Sequence, residues 1–321
     1  MNRRDFIALL ATSVVWPAIT QAQTAGRMPI IGVLVLGNPP PELFLTALRD
    51  GLRGAGYIDG QNVRIEVRSA RGQTDRLAEN AAELVALKAD VIVTFQTPPA
   101  TAARQATSDI PIVMSGAGDP VGTGLVASLA RPGGNVTGTS AGGVEIAGKS
   151  VELIRELLPN ARRFAVLANE NDSFTRPYLA EIRRMAAIAG LEVDVVMTRP
   201  AGPLEPAFEA MTSRHAEAVI VQGSVLRPEV GALAAKHRLP SLSTLKILPT
   251  EGGLMSYAAN FSDLHREAAV YVDKILKGAK PADLPVGFPS KFNLVLNMRA
   301  AKELGLAIPE VFLLRANEVI E

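Results

Sequence analysis

The run Pro29-Ile30-Ile31-Gly32-Val33-Leu34-Val35-Leu36 decides how the chain is read. It is short, nearly unbroken in its apolarity and rich in β-branched residues. Such a run suits a strand covered on both faces, as in a parallel sheet, and not an edge strand with one wet face. The next segment, Glu42 to Ala55, changes period: Leu45, Leu48 and Leu52 recur at helical spacing, and Gly56 stops it. Val63, Ile65 and Val67 then alternate as a half-buried strand does. Leu77, Ala81, Leu84 and Leu87 mark one face of a helix over 75–88. A strand over 91–95, an Ala-rich helix over 97–107 opened by Pro98-Pro99, and a strand over 110–114 follow. Strand and helix alternating at this spacing predict a parallel, doubly wound sheet.

After the turn cluster Arg131-Pro132-Gly133-Gly134-Asn135 and a weak strand over 136–140, the alternation restarts. Helices are predicted over 145–158, 173–189, 204–213 and 228–237. Strands are predicted over 164–168, 192–197, 218–221, 240–243 and 254–258. The tail offers a helix over 262–277, an extended stretch over 285–297 and a short helix over 298–304, too little for a third core. The expected architecture is therefore α/β, with two doubly wound parallel-sheet lobes joined by a three-stranded hinge. Lobe 1 spans 27–139 plus 261–289, and lobe 2 spans 140–260 plus 290–321. The crossings fall near 139–143, 259–262 and 288–291, a layout suited to closure on a ligand.

Composition narrows the function. The 321 residues hold 33 Lys and Arg against 32 Asp and Glu, so nothing favours nucleic acid or an anionic membrane as a partner. There is no Cys, which excludes disulfides, thiolate metal sites, a Cys nucleophile and a Cys-linked lipid. Three His (His215, His237, His265) are scattered without metal-binding spacing and are read as surface positions, so no metal and no cofactor are expected. Residues 1–22 have the form of an export signal: Arg3-Arg4-Asp5-Phe6-Ile7, an apolar run from Phe6 to Ile19, and small residues to Ala22. That run is too short to span a bilayer. The paired Arg resembles a twin-arginine signal, with Tat and Sec export both open. Cleavage near Ala22 would leave a periplasmic chain with balanced charge.

In open parallel sheets, ligands bind beyond the carboxyl ends of the strands. That rule selects Asn38 after the first strand, Gln96 and Thr97 after the third, and Ser115 and Asp119 after the fourth. In the second half it selects Asn169, Asn171 and Ser173, then Gly223 and Ser224, then Tyr257. Short hydrogen-bonding side chains and exposed amides at these places suit a small polar solute, although the same residue types also cap helices. Ser140 joins the candidates because Gly138-Thr139-Ser140-Ala141-Gly142 matches the nucleophile-elbow pattern, with Asp172, Asp194 and the His downstream. A serine hydrolase is thus an alternative to a binding protein, weakened by the poor strand before Ser140 and by the absence of any His before 215. Gly122-Thr123-Gly124-Leu125-Val126-Ala127 fits a dinucleotide fingerprint, but lies too far from its strand to serve as one.

Several strings resemble the periplasmic substrate-binding proteins of bacterial ABC transporters, in the two-lobed type I class. They also resemble the subfamily related to tryptophan and aromatic amino-acid binding components. These strings are Gly56-Tyr57-Ile58-Asp59-Gly60-Gln61-Asn62-Val63, Asp119-Pro120-Val121, Arg131-Pro132-Gly133-Gly134-Asn135-Val136-Thr137-Gly138 and Gly252-Gly253-Leu254-Met255-Ser256-Tyr257. The resemblance implies a non-enzymatic, monomeric receptor that closes on an amino acid or related small solute and hands it to a membrane permease. It supports Gln96, Thr97, Ser115, Asp119 and Tyr257 as pocket residues. An extracytoplasmic sensor that signals to a partner would look the same. The resemblance breaks at Val221-Gln222-Gly223-Ser224-Val225, where aromatic amino-acid binders carry a Pro-x-Asp-Asn segment; no Asp stands there to meet an α-ammonium.

Overall fold

The computed structural model describes residues 27–37 and 40–321. The export-signal reading of residues 1–22 and the candidate Asn38 lie outside the described residues. The first sheet holds β1 (Ile30–Val35), β2 (Arg64–Ser69), β3 (Val91–Phe95), β4 (Ile112–Ala117) and β5 (Val136–Ser140) in the order β2-β1-β3-β4-β5, all parallel. Helices α1 (Glu42–Gly54), α2 (Arg76–Ala86) and α3 (Thr97–Ala106) connect its strands.

The opening run explains itself in this setting. Every residue of β1 is buried. Ile31, Val33 and Val35 join one core with Phe44, Leu48 and Leu52 of α1. Ile30, Leu34 and Leu36 join the other with Leu77 and Leu84 of α2. A period-2 strand with apolar side chains at every position but Gly32 feeds both layers.

Four elements link to the second sheet and build its right half: α4 (Gly143–Leu157), β6 (Arg163–Asn169), α5 (Thr175–Ala189) and β7 (Glu192–Thr198). Then come α6 (Glu205–Ser213), β8 (Val219–Val221), α7 (Glu229–Lys236), β9 (Ser241–Ser243), α8 (Ile247–Thr250) and β10 (Met255–Ala259). The chain closes with α9 (Phe261–Leu276), β11 (Phe292–Asn297), α10 (Met298–Leu304), α11 (Glu310–Arg315) and β12 (Glu318–Ile320). The second sheet runs β12-β11-β10-β9-β8-β6-β7. Its β7-β6-β8-β9-β10 half repeats the order of the first sheet. It is not wholly parallel: β11 pairs antiparallel to β10, and β12 runs parallel to β11. The sequence pattern left α8, α11 and β12 unpredicted, each being six residues or fewer.

The tail is shared between the two sheets. α9 packs along α1 on the first sheet, where a Cβ on Gly51 would stand 2.8 Å from the Cβ of Ala269 and 2.9 Å from the carbonyl oxygen of Arg266. Gly51 is the only residue type that lets the two helices meet this closely. β11 extends the second sheet, and Leu294, Leu296 and Phe312 enter its core. His265 corrects the surface reading. It is 4% exposed, enclosed by the rings of Phe44, Phe95 and Phe261 at 4.8 to 5.9 Å. α9 is covered by the sheet on one side and α1 on another, so it buries His265, Ala269 and Val272 as well as Leu264, Ala268, Tyr271 and Ile275.

The segments between the lobes lie side by side. The amide of Ser140 donates to the carbonyl of Gly287 at 2.8 Å, and that of Gly287 to Gly138 at 2.9 Å. Ala259 pairs with Phe292, and a Cβ on Gly142 (φ +65°) would stand 3.1 Å from the ring of Phe288.

Candidate functional site

A cavity of about 50 Å³ lies between the carboxyl ends of the two sheets. It has room for a few waters, so the lobes stand close together. Lobe 1 contributes Gln96 and Thr97 from the β3–α3 turn, the Gly116 and Gly118 backbone after β4, and Phe261 at the start of α9. Lobe 2 contributes Asp172, Phe174 and Tyr178 from the β6–α5 region, Gln222, Gly223 and Ser224 after β8, and Thr244 and Leu245 after β9.

The two lobes touch directly here. The amide of Gly143 donates to the carbonyl of Gly118 at 2.9 Å. The Phe174 ring lies against both glycines, so that an added Cβ would meet it at 2.6 Å from Gly118 and 2.5 Å from Gly143. At the rim, Thr101 Oγ1 and Ser173 Oγ are 3.3 Å apart. A solute larger than the cavity enters only when these contacts part.

The polar wall is built around Asp172. Its Oδ1 accepts from the Phe174 amide at 2.9 Å, and its Oδ2 accepts from Gln222 Nε2 at 3.0 Å and from Ser224 Oγ at 2.9 Å. Gln222 is oriented in turn, since its Oε1 accepts from the Asn169 amide at 2.8 Å and from Thr175 Oγ1 at 3.0 Å. Among the described residues, no Lys or Arg forms an ion pair with Asp172. Burial pushes its carboxyl up to about 6, against the pull of the Phe174 amide and the Ser224 hydroxyl. The position asks for a cation.

On the facing side, Gln96 has φ +70° and ψ 177°, a strained backbone for a residue with a Cβ. Such strain costs about 1–3 kcal/mol and gathers at functional positions. Its Nε2 lies 3.5 Å from where a Cβ on Gly223 would sit, so it reaches across the cleft, while its Oε1 is buried without a partner. Thr97 Oγ1 accepts from the Gly118 amide at 3.0 Å and keeps its own proton to donate.

Of the residues selected from the sequence, the structure brings Gln96, Thr97, Gly223 and Ser224 to the cavity. The others lie elsewhere for identifiable reasons. Ser115 points to the opposite face of β4, where its Oγ is 2.6 Å from His265 Nδ1. Asp119 caps a turn, its Oδ1 accepting from the Gly122 amide at 2.8 Å. Asn169 is a buried brace that bonds the Asn171 amide and Ser224, and Asn171 is exposed. Ser173 sits at the rim, and Tyr257 stacks on Phe292 at 5.8 Å. Ser140 is 2% exposed, with its Oγ donating to the Ala117 carbonyl and accepting from the Gly142 amide. No His stands beside it, so the nucleophile-elbow reading has no base. Asp172, Tyr178 and Thr244 were missed. The strand-end rule had reached the Asn169–Ser173 loop, but not which of its side chains turns inward, and Tyr178 lies one helical turn into α5.

Residues 33–320 match the sequence family described as "ABC transporter substrate binding protein". The chain belongs to that family. It is 27% identical over 266 residues to the tyrosine-binding protein of Clostridioides difficile, covering 82% of this chain and 75% of that one. It is also similar to the solved ABC domain in complex with L-Trp from Streptococcus pneumonia, at 32% identity and a TM-score of 0.83, covering 92% and 100% of the two chains. A conserved domain protein from Vibrio cholerae shares 28% identity at a TM-score of 0.84, covering 91% and 100%. This substrate-binding protein has the two-lobed α/β fold of the type I periplasmic binding proteins. Its family is non-enzymatic and extracytoplasmic, which removes the hydrolase alternative.

Proposed function

We propose that this binding protein captures an aromatic L-α-amino acid between its lobes and delivers it to the membrane permease of an ABC importer. The observation that carries this reading is Asp172, a buried carboxylate at the cleft with three hydrogen-bond donors and, among the described residues, no paired cation. A ligand ammonium would supply the missing charge. Asp172 lies in the β6–α5 loop, next to the Gln222 and Ser224 that replace the expected acidic segment. The Thr97 hydroxyl and the Gln96 amide are free to meet the ligand carboxylate. Phe174, Tyr178, Leu245 and Phe261 offer an apolar wall for the side chain. The relatives named above, one tyrosine-binding and one holding L-Trp, favour the aromatic class. The Arg3-Arg4 segment supports export to the periplasm with cleavage near Ala22, and a monomeric receptor suffices for the reading.

The test is a thermal-shift and calorimetric screen of the twenty L-amino acids. Preferential binding to the closed form raises the melting temperature by mass action. An aromatic amino acid is expected to do so, and its N-acetyl derivative, which lacks the ammonium, is expected not to. Equal binding of the N-acetyl derivative would refute the role of Asp172, and silence from all twenty would refute the amino-acid reading.

A further inference from the structure

A ligand carboxylate can use Gln96 Nε2 but not its acceptor Oε1, and besides that oxygen one hydroxyl at the cleft is left over by the ammonium and carboxylate assignments. Tyr178 is 1% exposed, and its ring packs in the lobe 2 core beside Phe174, at 5.5 Å between centroids. Phenylalanine would fill that part of the core equally well. The hydroxyl is therefore a cost with no packing return: it is buried without a hydrogen-bond partner, on a residue that lines the cavity. Burial alone pushes its pKa up, so it is a neutral donor and acceptor and not a phenolate. Of the side chains among the described residues that hold a buried polar atom without a hydrogen-bond partner, Gln96 and Tyr178 line the cavity; Thr74, Asn80, Thr94, Asp194 and Arg227 do not. Gln96 stands opposite the polar wall of Gly223 and Asp172, whereas the ring neighbour of Tyr178 is Phe174.

We infer that the Tyr178 hydroxyl reads a hydrogen-bonding group on the solute's side chain, so that the site prefers a polar-tipped aromatic (a phenol or an indole N–H) over phenylalanine. The inference rests on the amino-acid reading above and sharpens it. A neutral hydroxyl left unpaired by the wrong ligand discriminates by about 10- to 100-fold, and a site built to bond a ligand OH or NH rejects the analogue lacking it.

The experiment measures dissociation constants of L-tyrosine, L-tryptophan and L-phenylalanine by calorimetry on the wild-type protein and on Tyr178→Phe. Wild type is expected to favour tyrosine or tryptophan over phenylalanine by about 10- to 100-fold. Tyr178→Phe keeps the ring and is expected to bring the ratio to within about twofold, with phenylalanine binding held or improved. A wild-type ratio near one, which needs no variant, overturns the inference while leaving the amino-acid reading intact. So does a Tyr178→Phe protein that keeps the wild-type ratio, which would assign the hydroxyl to a buried water. Failure of all three amino acids to bind wild type overturns both.

Discussion

Solute affinity is expected to depend on pH through Asp172. The carboxyl titrates near 6 in the empty protein because burial penalises its charge, and only the ionised form attracts an ammonium. Affinity should therefore be constant above about pH 7 and fall about tenfold by pH 5, where roughly a tenth of the molecules carry the charge. Empty-protein stability is a poor readout of the same group. A carboxyl raised from 3.8 to about 6 makes the fold less stable as pH rises through that window, by about 3 kcal/mol in all. His265 works against it. Burial lowers its pKa from 6.5 to about 3, so the unfolded chain takes up the extra proton and stability rises with pH over nearly the same range. The two slopes are each about 1.4 kcal/mol per pH unit and opposite in sign. Wild type should look nearly flat between pH 4 and 6, whereas Asp172→Asn should become steadily more stable as pH rises, exposing the His265 slope. Calorimetric titration with the best amino acid at pH 5, 6, 7 and 8, and denaturant melts of both proteins, provide the data. Affinity independent of pH from 5 to 8, or wild-type affinity in Asp172→Asn, would refute the reasoning.

Gly118→Ala should spare folding and impair closure. Its Cβ would strike the Phe174 ring at 2.6 Å, a clash across the lobes that opening relieves, so affinity should fall by about 1–3 kcal/mol with little change in the empty protein's melting temperature, as calorimetry and small-angle scattering would show. Gly138→Ala should instead damage the fold. Gly138 has φ +121° and its Cβ would lie 2.0 Å from the Met114 carbonyl oxygen on the neighbouring strand, so a loss of about 3 kcal/mol or more is expected in chemical denaturation. His265 should remain neutral in an NMR titration down to about pH 4.

How far the sequence revealed the protein follows from the kind of signal each feature leaves. Strands such as β1 and helices such as α2 carry many apolar side chains at a fixed period, and the alternation of the two dictates a doubly wound sheet. β12 and α11 are too short to carry a period, and the antiparallel turn of β11 is a matter of where the chain returns, which composition does not record. The strand-end rule located the cleft by loop. It could not choose within a loop, because Asp172 turns inward and Asn171 outward through local backbone geometry that both residue types tolerate. Ser115 shows the same limit in a strand. One step along β4 separates the cleft face from the face that meets His265.

The close passage of α9 over Gly51 has a consequence during synthesis. The first sheet is complete in the chain by Ser140, yet the helix that covers its α1 face ends at Leu276. At ~5–20 residues per second, a ribosome needs on the order of ten seconds to supply it. Throughout that interval Leu48, Val33 and their neighbours lack their lid, so lobe 1 cannot reach its final stability while lobe 2 is still being made. Lobe 1 is therefore completed only after the strands of lobe 2 from β6 to β10 have been made, and a truncation before α9 would leave its α1 face open to water.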